Sequence, residues 1–322
     1  MNKPGKLVLV TGGAGFIGSH LVDKLVDRGC SVRVLDDLST GNIMNIRTHV
    51  DSGTVELVKG DVRDMSLVSK CVKDVDFVFH LAAQISVPLS VEKPEWTFDV
   101  NVTGTLNVLT ASAKEQVDRL VLASSCAVYG EPKYLPIDEK HPTNPISPYA
   151  ETKLAGERYC LGFDRRGMCG CVALRFFNVY GPRQGFNDYS GVITRFFERA
   201  QKGLPLVVYG DGLQTRDFVS VFDVVDAVLA SVEKPEAAGK VLNVGSGKSM
   251  SIVELARTIL RMYKSKDVPI SYAPPREGDI KDSYADISMA KKVLGYSPKV
   301  VLADGLSALV AEKTSDYRKE AN

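Results

Sequence analysis

Short apolar runs alternate with segments of helical period through the first half of the chain. The runs are Leu7–Val10, Ser31–Asp36, Val55–Lys59, Asp76–Leu81, Arg119–Ser124 and Cys171–Phe176. They are rich in Val, Leu and Phe, which predicts strands buried on both faces. Between them, Phe16–Asp27 and Val102–Lys114 space their apolar residues as helices do. Buried strands separated by helices predict βαβ units and a parallel sheet covered on both sides: an α/β, doubly wound Rossmann fold. The rhythm changes after about Asn178. PRQGFNDYSG and APPREGDIKDS are polar, Gly/Pro-rich loop sequences, and the helical stretches Ser251–Lys264 and Ala303–Asp316 follow with fewer strands. The pattern predicts a smaller mixed α/β lobe interleaved with the sheet domain. Residues 1–178 and about 214–240 fall to the sheet domain, and 179–213 and 241–322 to the lobe. SDYRKEAN at the C-terminal end reads as a frayed tail.

Composition narrows the function classes. The chain has 322 residues, 44% of them hydrophobic, which is ample for a large core. With 40 basic and 39 acidic residues the charges nearly cancel, so no basic footprint for nucleic acid is expected. No apolar run near the N-terminal end exceeds Leu7–Val10, too short for a signal segment or a membrane span, and a cytoplasmic protein is expected. Six cysteines form no C-x-x-C pair and read as reduced, mostly buried thiols. His20, His49, His80 and His141 are far apart in sequence, so no metal site is expected.

The chemistry begins at TGGAGFIGSH, residues 11–20, between the first strand and the first helix. Gly13, Gly15 and Gly18 fit G-x-G-x-x-G, and Gly12, Gly15 and Gly18 fit G-x-x-G-x-x-G. Early glycines permit the tight turn, bare backbone at Gly15 lets a pyrophosphate approach, and Gly18 lets helix and strand pack closely. The helix N-terminus offers unpaired N–H groups to the phosphates. Alone, such a loop is also what any sharply turning strand–helix junction uses. Asp36 strengthens the reading, because it ends the second run 18 residues after Gly18. A carboxylate there accepts the adenosine ribose hydroxyls and repels a 2′-phosphate, and Asp37 follows where an arginine would favour NADP. NAD is therefore expected. Asp61 in GDVRD ends the third run, positioned to bond the adenine amino group, and HLAAQ ends the fourth with small Ala82 and Ala83. His80 reads as a packed strand histidine.

SPYAETK places Tyr149 and Lys153 four residues apart, on one face of a helix that Ser147 caps and Pro148 opens. A neighbouring ammonium and a positively charged nicotinamide would both lower the pKa of the phenol. Ser124 and Ser125 end the fifth run, where a hydroxyl bridges a substrate oxygen and the tyrosine.

These segments, with LDDLSTG, DVNVTGT, RFFNVYGPRQ, TRDFVSVFDV, NVGSGKSMSI and REGDIKDSYADI, resemble the extended short-chain dehydrogenase/reductase family over nearly the whole chain, and within it the nucleotide-sugar 4-epimerases. The resemblance implies an NAD-dependent isomerase that inverts C4 of a UDP-hexose through a transient 4-keto sugar, with no net redox change. It implies Ser125, Tyr149 and Lys153 as the catalytic group. The implied cofactor contacts are Gly12, Gly15, Phe16, Ile17, Gly18, Asp36, Asp37, Gly41, Asp61, Val62, Leu81, Ala82, Ala83, Gln84, Asn101, Ser124, Tyr149, Lys153 and Phe176. Those to the UDP-hexose are Ser86, Ser125, Tyr149, Asn178, Val192, Val207, Tyr209, Arg216, Arg276, Asp279 and Ser283. Asn178, Arg216 and Arg276 match diphosphate ligands, Asp279 a uridine-ribose ligand, and Val207 and Tyr209 the uracil wall. Ser283 matches a position beside the sugar 2-substituent, where a small residue admits N-acetylated hexoses beside glucose and galactose. A homodimer through helices near 102–114 and 149–161 is likewise implied.

Related 4,6-dehydratases place an Asp-Glu pair after the catalytic hydroxyl residue, and UDP-glucuronate decarboxylases a glutamate where Ala127 stands. Cys126 and Ala127 supply neither acid. Cys126 reads as a small buried residue. An alternative of another class, an NAD-binding regulatory protein, would not need Ser125, Tyr149 and Lys153.

Overall fold

The computed structural model describes residues 5–185, 191–263, 268–275 and 280–320, with side chains of the final helix described through residue 311. The strands are β1 (Leu7–Thr11), β2 (Ser31–Asp36), β3 (Val55–Lys59), β4 (Phe77–His80), β5 (Arg119–Ser125), β6 (Cys171–Phe176), β7 (Asn178–Tyr180), β8 (Leu206–Tyr209), β9 (Thr215–Arg216), β10 (Phe218–Ser220), β11 (Lys240–Val244), β12 (Met250–Ser251) and β13 (Ile270–Ala273). The helices are α1 (Phe16–Asp27), α2 (Arg47–Asp51), α3 (Met65–Val72), α4 (Val87–Glu92), α5 (Pro94–Phe98), α6 (Gly104–Lys114), α7 (Pro148–Arg165), α8 (Val192–Gln201), α9 (Val221–Glu233), α10 (Ile252–Met262), α11 (Ser288–Leu294) and α12 (Leu302–Glu320).

Seven parallel strands form the central sheet in the order β3-β2-β1-β4-β5-β6-β11. The apolar runs are continuous because both faces are covered. Val8 and Val10 of β1 join one core cluster with α1 and α9, while Leu9 joins another with α3, α6 and α7. This is the period-2 alternation of a strand whose two sides are both buried. The strand order reverses between β1 and β4, where registers run from Val8↔Phe77 to Thr11↔His80. In doubly wound sheets such a reversal is where a crevice forms at the carboxyl ends of the strands, the usual ligand position.

A third cluster, with Phe196, Phe197, Leu206, Leu255 and Ile259, forms the core under α8, α10, β8 and α12. The boundary expected at 240–241 falls inside β11, which pairs with β6 from Lys240↔Val172 to Val244↔Phe176. The sheet runs past it because Leu242 and Val244 complete the larger cluster, as do Ala285, Ile287, Ala290 and Leu294. The helix expected from Val102 starts earlier. α5 passes into α6 through a wide π turn, Asp99–Thr103, which carries Asn101. α12 is helical through Glu320, beyond the tail expected to fray from residue 315.

Among the described residues, no helix is long and apolar enough to cross a membrane, and no group of His, Cys, Asp and Glu side chains could hold a metal ion.

Candidate functional site

The glycine loop leaves the carboxyl end of β1 at the crevice. Gly12 adopts a left-handed φ of 71°, and a Cβ there would lie 2.8 Å from the Ala82 nitrogen. Bare backbone is therefore required for the loop to meet the end of β4. At Gly18 a Cβ would stand 2.1 Å from the Gly12 oxygen, so α1 packs directly on the turn. No side chain caps α1, and its first turn carries no acid. Its leading N–H groups and positive dipole end thus lie open to an anion.

Asp36 is buried under this loop. Its Oδ2 accepts from Ala14 N at 2.9 Å and its Oδ1 from Leu38 N at 2.9 Å. Burial raises its pKa, and the two N–H groups oppose that rise. Both oxygens keep lone pairs for further donors. Gly41 lies so near that a Cβ would be 2.8 Å from Oδ1. Asp37 turns away to Ser39 N and Oγ. Asp61 is forked by Arg63 at 2.9 and 2.6 Å, which lowers its pKa and keeps Arg63 on Asp61. Val62 packs against Gly104 at the start of α6. Phe16 and Ile17 open α1, and Phe176 ends β6 in the buried core.

The end of β4 is held by a hydrogen-bond chain that the sequence reading did not anticipate. Ala82 N donates to Thr11 Oγ1 at 3.2 Å, and Thr11 Oγ1 meets His80 Nδ1 at 2.7 Å. His80 Nε2 meets Thr105 Oγ1 at 2.9 Å, and Thr105 donates on to Asn101 O at 2.5 Å. Since Thr105 spends its proton on that carbonyl, Nε2 carries the imidazole proton and Nδ1 accepts from Thr11. Burial, with Lys153 as a lesser cause, pushes the His80 pKa down to about 3. His80 is a neutral packed histidine, as expected. Asn101, on the π turn, clamps the next loop: its Oδ1 accepts from Gln84 N at 2.8 Å and its Nδ2 donates to Gln84 O at 2.9 Å. Leu81, Ala82 and Ala83 are thereby left half-buried at the crevice. Ser86 caps α4, accepting from Leu89 N at 3.1 Å.

Tyr149 and Lys153 rise on α7, which Ser147 caps by accepting from Ala150 N at 3.2 Å. Lys153 Nζ donates to Ala123 O at 3.0 Å and lies 6.0 Å from the Tyr149 ring centre. Burial brings its pKa down to about 8, against the raising influence of Glu157. The expected depression of the Tyr149 phenol is not what the protein's own groups produce. Burial pushes it up to about 12, and only the nearby Ser125 hydroxyl pulls it down. The ammonium is spent on the Ala123 carbonyl, too far from the ring to dominate. The two serines also part. Ser125 faces Tyr149, whereas Ser124 turns its hydroxyl to Glu157 at 2.5 Å and is no bridge to a substrate oxygen. Cys126 is half-buried rather than fully buried, and its thiol is held up to about 12 by burial, with Arg216 opposing. Cys126 thus lies near both Tyr149 and Arg216.

Arg216 Nη1 donates to Thr215 O at 2.7 Å and Lys281 O at 3.3 Å. Asn178 Nδ2 donates to Asp217 O at 3.3 Å. Ser283 is buried, 1% exposed, with its N donating to Thr215 O at 3.1 Å. These three come together through β9. Val207 and Tyr209 stand on β8, beside β13, and Val192 opens α8 against the third core cluster. Arg276 and Asp279 lie outside the described residues. Glu157 and Arg175 were missed, although both left a signal. Glu157 is four residues after Lys153 on the same helix face, and Arg175 is a lone charge inside the apolar run of β6.

Comparison with known proteins followed the same lines. The family model described as "NAD dependent epimerase/dehydratase family" matches residues 8–245. A "Putative UDP-glucose 4-epimerase" of Methanocaldococcus jannaschii is 44% identical over 94% of this chain and 97% of its own. A UDP-N-acetylglucosamine 4-epimerase of Methanobrevibacter ruminantium, solved with UDP-N-acetylmuramic acid, superposes with a TM-score of 0.92 at 37% identity, over 98% of this chain and 100% of that one. The UDP-glucose 4-epimerase of Thermotoga maritima, solved with UDP-glucose, gives 0.91 at 36% identity over 98% and 100%.

Proposed function

The chain belongs to the NAD dependent epimerase/dehydratase family, and from that premise we propose that it interconverts UDP-glucose and UDP-galactose by inverting C4 through a transient 4-keto sugar, and accepts the N-acetylated pair as well. The observation that carries this reading is the meeting of Ser125 and Tyr149 at the crevice, with Lys153 one turn behind and no acid at Cys126 or Ala127. A dehydratase or decarboxylase would need that acid. A protein that only binds NAD would need none of the three.

The crevice fits NAD. The uncapped α1 end and the bare backbone at Gly12 suit a pyrophosphate, and Asp36 suits ribose hydroxyls. When bound, NAD supplies a reversible two-electron oxidation of a secondary alcohol. The side chains supply the proton handling. Tyr149 Oη takes the proton of the 4-hydroxyl and later returns it, while Ser125 Oγ hydrogen-bonds the sugar oxygen and holds it in line. With NAD bound, Lys153 would hold the nicotinamide ribose, and its ammonium together with the positive charge of the nicotinamide would lower a phenol that burial raises to about 12. Arg216 with Arg276 anchors the diphosphate by forked bonds, Asp279 the uridine ribose, and Val207 and Tyr209 the uracil. The phosphates stay fixed while the keto sugar turns over. Ser283 leaves room beside C2 and has a hydroxyl for an acetamido group; the likeness to a UDP-N-acetylglucosamine 4-epimerase supports this breadth.

In this reading the sheet and its helices form the NAD-binding domain, and the third core cluster forms the sugar-nucleotide lobe. The protein acts as a homodimer. Support for that comes from large apolar side chains left exposed together on α4, α5 and α7, among them Val91, Trp96, Phe98 and Tyr159, with Ile146 beside them. This patch lies on α4, α5 and α7 rather than α6. Incubation of the purified protein with UDP-glucose, UDP-N-acetylglucosamine, UDP-glucuronate and dTDP-glucose, followed by product separation, tests the reading. C4 epimers of the first two are expected. A dehydrated or decarboxylated product, or none, overturns it.

A further inference from the structure

Three consecutive residues of β5 meet three successive turns of α7. The Ser125 hydroxyl lies near enough to Tyr149 to lower its pKa, Ala123 O accepts from Lys153 at 3.0 Å, and Ser124 Oγ donates to Glu157 Oε1 at 2.5 Å. Tyr149, Lys153 and Glu157 follow one another at intervals of four, so they share a helix face. Behind them, Arg175 is the register partner of Ser124 on β6. Its Nε donates to Glu157 Oε1 at 2.9 Å and its Nη2 to Oε2 at 2.7 Å. Both side chains are sealed, with side-chain exposures of 6% and 2%.

Stability alone is a poor reason for this pair. A buried ion pair replaced by apolar residues of like volume is often neutral or stabilising. Here the guanidinium also leaves Nη1 without a partner and lies 4.6 Å over the Tyr129 ring. What distinguishes the pair is its place, one helical turn behind Lys153. We propose that Glu157, oriented by Arg175 and Ser124, is a positioning residue that keeps the Lys153 ammonium charged and aimed beneath Tyr149. The proposal rests on the reading of Tyr149 as the base.

The groups around Lys153 single out this carboxylate. From α7 itself come Tyr149 and Glu157 and from β4 the neutral His80, while Arg175 of β6 stands behind Glu157 and over the Tyr129 ring. Glu92 on α4, Glu95 on α5, Asp99 on the π turn and Lys114 on α6 are exposed. Burial drives Lys153 toward neutrality, and Glu157 is the carboxylate that opposes it. Arg175 and Ser124 hold that carboxylate in place through three hydrogen bonds, as donors to a charged acceptor do.

The test uses Glu157→Gln, which keeps shape and removes charge, and the double variant Glu157→Gln/Arg175→Met, which leaves no unpaired buried ion if the single variant fails to fold. Protein labelled with ¹³C at lysine Cε is titrated by NMR, with Lys153→Met assigning the signal. The pH profile of kcat with UDP-glucose is recorded in parallel. Lys153 is expected to titrate about one pH unit or more lower in both variants, a tenfold change in its protonation equilibrium. The acid limb of kcat should move to higher pH, with KM within about twofold. A residue acting only in packing would lower melting temperature and leave the titration where it was. Unchanged titration of Lys153 in a folded variant overturns the proposal, as does a shifted titration with an unmoved kcat limb. If wild type turns over no UDP-hexose while the Lys153 signal shifts, the reading of the reaction fails and the positioning of the lysine stands.

Discussion

His80 allows a sharp test of how the crevice is held together. Its imidazole is buried and neutral between Thr11 and Thr105, with the pKa pushed down to about 3. In the unfolded chain a histidine titrates near 6.5. Between those values the unfolded state binds a proton that the folded state refuses. Stability therefore rises with pH across this window and is lost as pH falls below about 6.5. At pH 5 the unfolded state gains about 2 kcal/mol from this group, and by pH 3 about 4 kcal/mol. His80→Gln keeps an amide donor and acceptor in the chain and removes the titration. At neutral pH it should cost about 1–3 kcal/mol, through hydrogen bonds made less well. Urea unfolding of both proteins at pH 7 and pH 5 isolates the effect. Wild type should lose about 2 kcal/mol more than the variant between the two pH values. In the ring-proton NMR spectrum of wild type, one histidine should fail to titrate between about pH 4 and 7.5. Equal losses in the two proteins, or four histidines titrating normally, would refute the buried neutral imidazole and the hydrogen-bond chain built on it.

Three further outcomes are expected. Tyr149→Phe should fold and bind NAD yet lose about 10²–10⁴-fold in kcat, the usual worth of a general base; a near-wild-type rate would remove Tyr149 from that role. NAD should bind at least about tenfold more tightly than NADP, since a carboxylate at Asp36 would repel a 2′-phosphate, and fluorescence titration showing equal affinities would count against it. Ser283→Tyr should abolish turnover of UDP-N-acetylglucosamine and spare UDP-glucose, because the buried Ser283 leaves no slack for a ring and, on the proposed reading, that ring would fill the space beside C2; loss of both activities in a folded variant would show that the residue does not discriminate at C2.

The sequence alone determined six of the seven strands of the sheet, their order along the chain, and the glycine turn and acid that point to a dinucleotide. Those features are written in local periodicity. Apolar runs buried on two faces, a glycine turn that admits no Cβ, an acid at the end of the second strand and a capped helix with Tyr149 and Lys153 four apart are all short-range signals. β2, β3, β6 and α1 fall where the pattern puts them, because propensity and burial agree there. Tertiary structure decided what depends on partners distant in sequence. β11 joins the sheet because β6 offers it an edge, which no local signal at residue 240 discloses. Ser124 and Ser125 are indistinguishable neighbours in sequence, yet strand alternation sends one hydroxyl to Glu157 and leaves the other for Tyr149. The protonation of the site is likewise a property of the packed protein. Burial takes Tyr149 up and Lys153 and His80 down, and it acts only once chains distant in sequence have closed over these groups and excluded water.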